Sequence, residues 1–100
     1  MLTLPEAVAR MTWLPARRLE AFAPAFASKG RVQVGADADL TVFDAARVLD
    51  RATYRDPYQP PLGLDWVIVG GELVVDRGAL VPGAFPGQRV LAAPGDPPQR

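Results

Sequence analysis

The segment Trp66-Val67-Ile68-Val69-Gly70-Gly71-Glu72-Leu73-Val74-Val75 constrains this chain more than any other. Two β-branched and aromatic runs separated by Gly-Gly read as a hairpin, because a two-residue turn matching the twist of the strands needs positive φ, which glycine adopts without strain. Pairing across that turn sets Trp66 with Val75 and Ile68 with Leu73 on one face, and Val67 with Val74 and Val69 with Glu72 on the other. Both faces are then largely apolar. A sheet with one wet face alternates apolar and polar residues, so this hairpin expects cover on both sides.

The rest of the chain is a thin source of such cover. Thr3-Leu4-Pro5-Glu6 forms a capping box that starts a helix with Leu4, Ala7, Val8 and Met11 on one face. Thr12 reads as a second cap, followed by Trp13-Leu14-Pro15-Ala16 and a helix that ends by Pro24, with Pro tolerated in the first turn. Both helices are shorter than isolated helices need to be to persist. From Gly30 the period changes, and Arg31–Val34 and Leu40–Phe43 read as short strands. Residues 47–63 form a long connection rich in Pro and Gly. Asp76-Arg77-Gly78 is a turn, Ala79–Val81 and Arg89–Leu91 are candidate strands, and Pro94-Gly95-Asp96-Pro97-Pro98 has the composition of a frayed end. The expected organisation is a helix pair over 1–29, a β-rich part over 30–92 and a tail over 93–100. The fold class is α+β, and the 100 residues, 49% of them hydrophobic, read as one part of a larger apolar assembly.

Chemistry is bounded by what is missing. With no His and no Cys in the sequence, the commonest general base, the thiol nucleophile and the usual structural zinc ligands are all absent. Eleven basic and eleven acidic residues cancel. No net field then draws the chain to nucleic acid or an anionic membrane, neither of which is an expected partner. Residues 1–31 carry five basic against two acidic side chains, and 32–65 three against six, an imbalance that screened surface charges exploit only weakly. No apolar run reaches the length of a membrane span, and Pro5 and Glu6 interrupt the start where a secretory core would lie, so a cytoplasmic location is expected.

Three constellations invite a functional reading. Asp37 and Asp39 have the spacing of a carboxylate pair on an extended segment, but Gly35-Ala36-Asp37-Ala38-Asp39 is read as turn chemistry, with Asp side chains accepting from nearby amides. Lys29 has no sequence neighbour to depress its pKa and reads as a solvated corner. Arg51, Tyr54, Asp56 and Tyr58 concentrate aromatic and hydrogen-bonding groups in one loop, which either contacts a ligand or another domain or is pinned to its own domain by two rings. The glycine pairs lack the GK[ST] ending and strand-to-helix context of a phosphate loop.

Four ordered stretches resemble the C-terminal end of amidohydrolase-superfamily enzymes, in the N-acyl-D-amino-acid deacylase branch. Glu6–Ala16 resembles the family's helix pair with its T-x-x-P-A element, and Lys29–Asp44 its KGRI-x-VGADADLVVFD segment. Asp50-Arg51-Ala52-Thr53-Tyr54 with Asp56-Pro57 is similar to DRATYEDP. Val67–Gly71 is similar to the closing V-x-V-N-G hairpin, with Gly70 standing where the pattern has Asn. The resemblance implies an enzyme whose (β/α)₈ barrel holds zinc and hydrolyses the linear amide of N-acyl-D-amino acids, with a small β-sandwich built from strands of both ends of the polypeptide. It implies that this chain supplies helices and strands to that whole, that zinc sits in a barrel this sequence does not contain, and that no catalytic or metal-binding role falls on any residue here. On that reading the isolated chain is inactive. Its partners are the absent barrel and N-terminal strands, or a second copy of itself. A stand-alone β-rich assembly or binding module without enzymatic activity is the alternative from a different class.

Overall fold

The computed structural model describes residues 1–91. Two short helices, α1 (Leu4–Met11) and α2 (Trp13–Leu19), and a 3₁₀ helix (Pro24–Ser28) precede four strands: β1 (Leu40–Phe43), β2 (Leu64–Val69), β3 (Glu72–Asp76) and β4 (Ala79–Leu80). The strands form one antiparallel sheet in the order β1-β2-β3-β4. The described residues divide into two compact units, Met1–Asp37 with residues 88–91, and Ala38–Gly87. The expected tail over 93–100 lies outside the described residues.

In the first unit, α1 starts as its sequence dictates. Thr3 Oγ1 accepts from the Glu6 amide at 3.3 Å while Glu6 Oε2 accepts from the Thr3 amide at 3.1 Å, which satisfies two amides that have no partner within the helix. Thr12 departs from its expected role. Its hydroxyl donates back to the Val8 carbonyl at 2.8 Å and makes no cap for α2, because a one-residue joint leaves it on the last turn of α1. Its own carbonyl accepts from Ala16. Arg17 lies over the Trp13 ring, 4.9 Å from its centroid, a contact that one helical turn makes available. Gly30, at φ 69, passes so close to this joint that a Cβ there would stand 2.4 Å from the Thr12 carbonyl oxygen and 3.0 Å from Ala16 Cβ. Small residues allow that approach, and Ala16 and Ala23 are buried.

Arg31–Val34, expected as a strand, belongs to none. Its ends are tied instead: Arg31 bonds Glu20 at 2.8 Å and the Lys29 carbonyl at 2.9 Å, and Ala36 closes a turn onto the Gln33 carbonyl at 3.0 Å, with Gly35 at φ 87. No neighbouring strand lies beside it among the described residues. Arg89–Leu91 likewise forms no strand.

In the second unit the hairpin is present with both turn glycines at positive φ, 57 and 80. Its register differs from the expected one beyond the first two pairs. Val69–Glu72 and Ile68–Leu73 pair as expected, but a bulge then moves Val67 opposite Val75 and Trp66 opposite Asp76. With both strands apolar on both faces, the pattern cannot penalise a one-residue slip, and side-chain bonding decides. Trp66 Nε1 donates to Asp76 Oδ1 at 3.1 Å, a pair the bulge creates. Leu40, Val42, Trp66, Ile68 and Leu73 share one face, and Thr41, Val67, Val69, Val75 and Leu80 the other. None of these ten is buried. The buried apolar residues of the described chain are Ala16, Ala23 and Ala84, and no large side chain is fully buried.

Candidate functional site

The loop singled out by sequence is built from its base upward. Leu49 and Leu62 pair as an isolated bridge, with amide-to-carbonyl distances of 3.0 and 2.9 Å, and the Asp44 amide donates to the Gly63 carbonyl at 3.0 Å. Gly63 is buried at φ 80, where a Cβ would meet the Val48 amide nitrogen at 2.5 Å. Above this base, Asp50 Oδ1 accepts from the Ala52 amide at 2.9 Å. Thr53 and Asp56 exchange two bonds, amide to carbonyl at 3.0 Å and amide to hydroxyl at 2.9 Å. Short side chains thus fold the loop locally.

Arg51, Tyr54, Asp56 and Tyr58 are all exposed. Tyr54 is 108% and Tyr58 94% exposed, which corrects the view of a loop pinned by two rings: the pinning is done by backbone pairing at its base. Among the described residues no hydrogen bond or ion pair joins these four side chains, so the structure brings them to one loop but not into one cluster.

The other candidates have structural partners. Asp37 Oδ2 stands 2.9 Å from Lys29 Nζ, which corrects the picture of Lys29 as a solvated corner, since its side chain is only 27% exposed. Asp39 Oδ1 accepts from the Gly70 amide at 2.8 Å, the turn chemistry expected of it but directed at a distant turn. A surface pocket of about 360 Å³ in the first unit is lined by Pro24, Ala25, Lys29, Asp37 and residues 88–91. Sequence reasoning missed the Arg31–Glu20 ion pair at 2.8 Å, for which an eleven-residue separation across a loop leaves no local signal.

Among the described residues no group of three or more His, Cys, Asp or Glu side chains could hold a metal ion. The zinc implied by the resemblance therefore finds no ligand set there. No helix among them is long and apolar enough to cross a membrane.

No family model and no solved structure matches the chain. Three curated proteins of Alcaligenes xylosoxydans xylosoxydans do. N-acyl-D-glutamate deacylase is 48% identical over 71 residues, covering 71% of this chain and 14% of that protein. D-aminoacylase is 40% identical over 92 residues, 89% of this chain and 17% of its own length. N-acyl-D-aspartate deacylase is 36% identical over 96 residues, 96% of this chain and 18% of its own length. Sequence similarity thus ties this α+β chain to deacylases several times its own length. The chain is similar to one segment of these N-acyl-D-amino-acid deacylases, in keeping with a C-terminal one, and spans less than a fifth of the relatives it matches.

Proposed function

We propose that this chain is a C-terminal structural part of a zinc-dependent hydrolase that cleaves the linear amide of N-acyl-D-amino acids. The observation that carries the reading is the match itself: 36–48% identity over most of this chain to three deacylases, of which it covers only 14–18%. In this reading α1 and α2 pack on a (β/α)₈ barrel, and the four strands enter a small β-sandwich completed by strands from elsewhere in the polypeptide. Zinc, bound in that barrel, would supply an activated water for amide hydrolysis. This chain's residues contribute walls and supports. Its lack of His and Cys agrees with that division of labour, and so do the uncovered apolar faces of the sheet. A cytoplasmic enzyme is the matching location.

The test is an assay of the purified 100-residue chain with zinc and N-acetyl-D-glutamate, N-acetyl-D-aspartate or a neutral N-acetyl-D-amino acid. No release of acetate is expected. Turnover abolished by a chelator and restored by zinc would overturn the reading.

A further inference from the structure

The surface pocket of about 360 Å³ in the first unit is built from stretches far apart in sequence, and its walls sort by chemistry. Pro24 and Ala25, at the start of the 3₁₀ helix, and Val90 and Leu91 supply the apolar part. Lys29, Asp37, Gln88 and Arg89 supply the polar part. The Lys29 ammonium and the Asp37 carboxylate stand 2.9 Å apart, and the Asp37 amide donates to the Ser28 carbonyl at 2.9 Å. This wall is therefore set before anything enters, which lowers the ordering cost of binding. Arg89 differs from Lys29. Its guanidinium makes no hydrogen bond or ion pair with any described residue, so its donors face water rather than a carboxylate of the chain. Lys29 and Arg89 against Asp37 leave the lining with one positive charge in excess.

We propose that this pocket binds a small monocarboxylate bearing a short apolar chain, with the carboxylate on Arg89 and the chain against Pro24, Ala25, Val90 and Leu91. Each part of the lining selects one part of the ligand. A guanidinium presents a planar fork of N–H donors that a carboxylate meets with two bonds at once. The single excess charge selects one anionic group, because a second would face the Asp37 carboxylate. The apolar wall selects a hydrocarbon chain, whose removal from water stabilises the complex in proportion to the area covered. A volume of about 360 Å³ lies at the low end of the roughly 300–1,000 Å³ of small-molecule pockets, which fits a short acid rather than a long-chain lipid. Two sources share this chemistry: a free short-chain carboxylic acid, and an N-acyl amino acid with an apolar side chain. The inference goes beyond the reading under Proposed function and stands on this chain's own side chains.

The test is an NMR titration of the isotope-labelled 100-residue chain with hexanoate, N-acetyl-D-leucine, acetate and hexan-1-ol. Shifts are expected to concentrate at the pocket residues, with hexanoate binding roughly tenfold or more tighter than acetate, which lacks the chain. Arg89→Gln is expected to weaken hexanoate binding roughly tenfold or more, and Arg89→Lys, which keeps the charge but not the fork, to weaken it less. Because Arg89 has no partner among the described residues, both variants should keep the wild-type amide spectrum away from the pocket. Tighter binding of hexanoate than of N-acetyl-D-leucine assigns the site to a free acid, and the reverse order to an N-acyl amino acid; either supports the proposal. Hexan-1-ol binding as tightly as hexanoate, or shifts spread over the exposed apolar side chains of the sheet, shows unspecific apolar association and overturns it. Absence of binding, or equal affinity in the wild type and Arg89→Gln, overturns it as well. None of these outcomes bears on the deacylase reading, which is tested by activity.

Discussion

Asp39 Oδ1 accepts a 2.8 Å hydrogen bond from the amide of Gly70, thirty-one residues further along the chain. With the neighbouring bond from the Gly71 amide to the Ala38 carbonyl at 3.0 Å, it fastens the hairpin turn to the residues that lead into β1. A Gly-Gly turn is entropically costly to hold, so a charged acceptor at its tip offsets part of that cost. Asp39→Ala is expected to speed exchange of the Gly70 amide and to destabilise the sheet by about 1 kcal/mol, with Asp39→Asn, which keeps a carbonyl acceptor, losing less. Equal effects of the two substitutions would show that charge rather than geometry carries the contact.

Gly63 and Gly83 separate strain from space. Both have positive φ, 80 and 75, but a Cβ at Gly83 meets nothing within 4 Å, whereas at Gly63 it meets the backbone of Arg47 and Val48 at 2.5–2.6 Å. Gly83→Ala is expected to cost about 1 kcal/mol from the left-handed backbone alone. Gly63→Ala should cost more and break the Leu49–Leu62 bridge, seen as loss of protection at those two amides.

The capping box of α1 is a local device and should behave as one. Thr3→Ala removes the acceptor for the Glu6 amide and is expected to lower helix stability by about 1 kcal/mol, measured as reduced helical circular dichroism and faster exchange in residues 4–7. Thr3→Ser should restore most of it.

The Lys29–Asp37 pair is half-exposed, with side chains 27% and 41% accessible. A double-mutant cycle with Lys29→Met and Asp37→Asn is expected to give a coupling of about 0.5 kcal/mol that shrinks with added salt. The same substitutions should loosen residues 31–34, visible as faster exchange at Ala36 and Asp37, whose amides bond within the loop that the pair closes.

Legibility in the sequence followed the range of each interaction. The α1 cap, the Gly-Gly turn and the Leu40–Phe43 strand are written in residues close together, and the structure shows all three. Thr12 looked like a cap because its type and position fit, but a hydroxyl on a one-residue joint has two helices to serve and bonds the one behind it. The β2–β3 register could not be read beyond Ile68 because neither face of that hairpin is polar enough to choose. Arg31–Val34 has strand sequence without strand structure, since a strand needs a neighbour that local pattern does not supply. At the candidate loop, the turn chemistry of Asp50, Thr53 and Asp56 was legible, while the exposure of Tyr54 and Tyr58 depended on what else packs nearby.

Among the described residues, twenty-two large apolar side chains are at least about a third exposed, including Phe22 at 70% and Phe85 at 90%. Surfaces of that kind associate in water. The free chain is expected to bind a hydrophobic dye and to sediment as a concentration-dependent mixture. A monodisperse monomer with a cooperative, high-temperature unfolding transition would contradict the claim that its apolar surface is meant for a larger whole.

The most direct measurement is the deacylase activity of a chimera in which this chain replaces the matched segment of the Alcaligenes D-aminoacylase, beside the same enzyme with that segment deleted. If this chain is a structural part of such an enzyme, the deleted form is insoluble or inactive and the chimera recovers soluble, chelator-sensitive hydrolysis of N-acyl-D-amino acids. Full activity in the deleted form, or a chimera no better than the deletion, would contradict it.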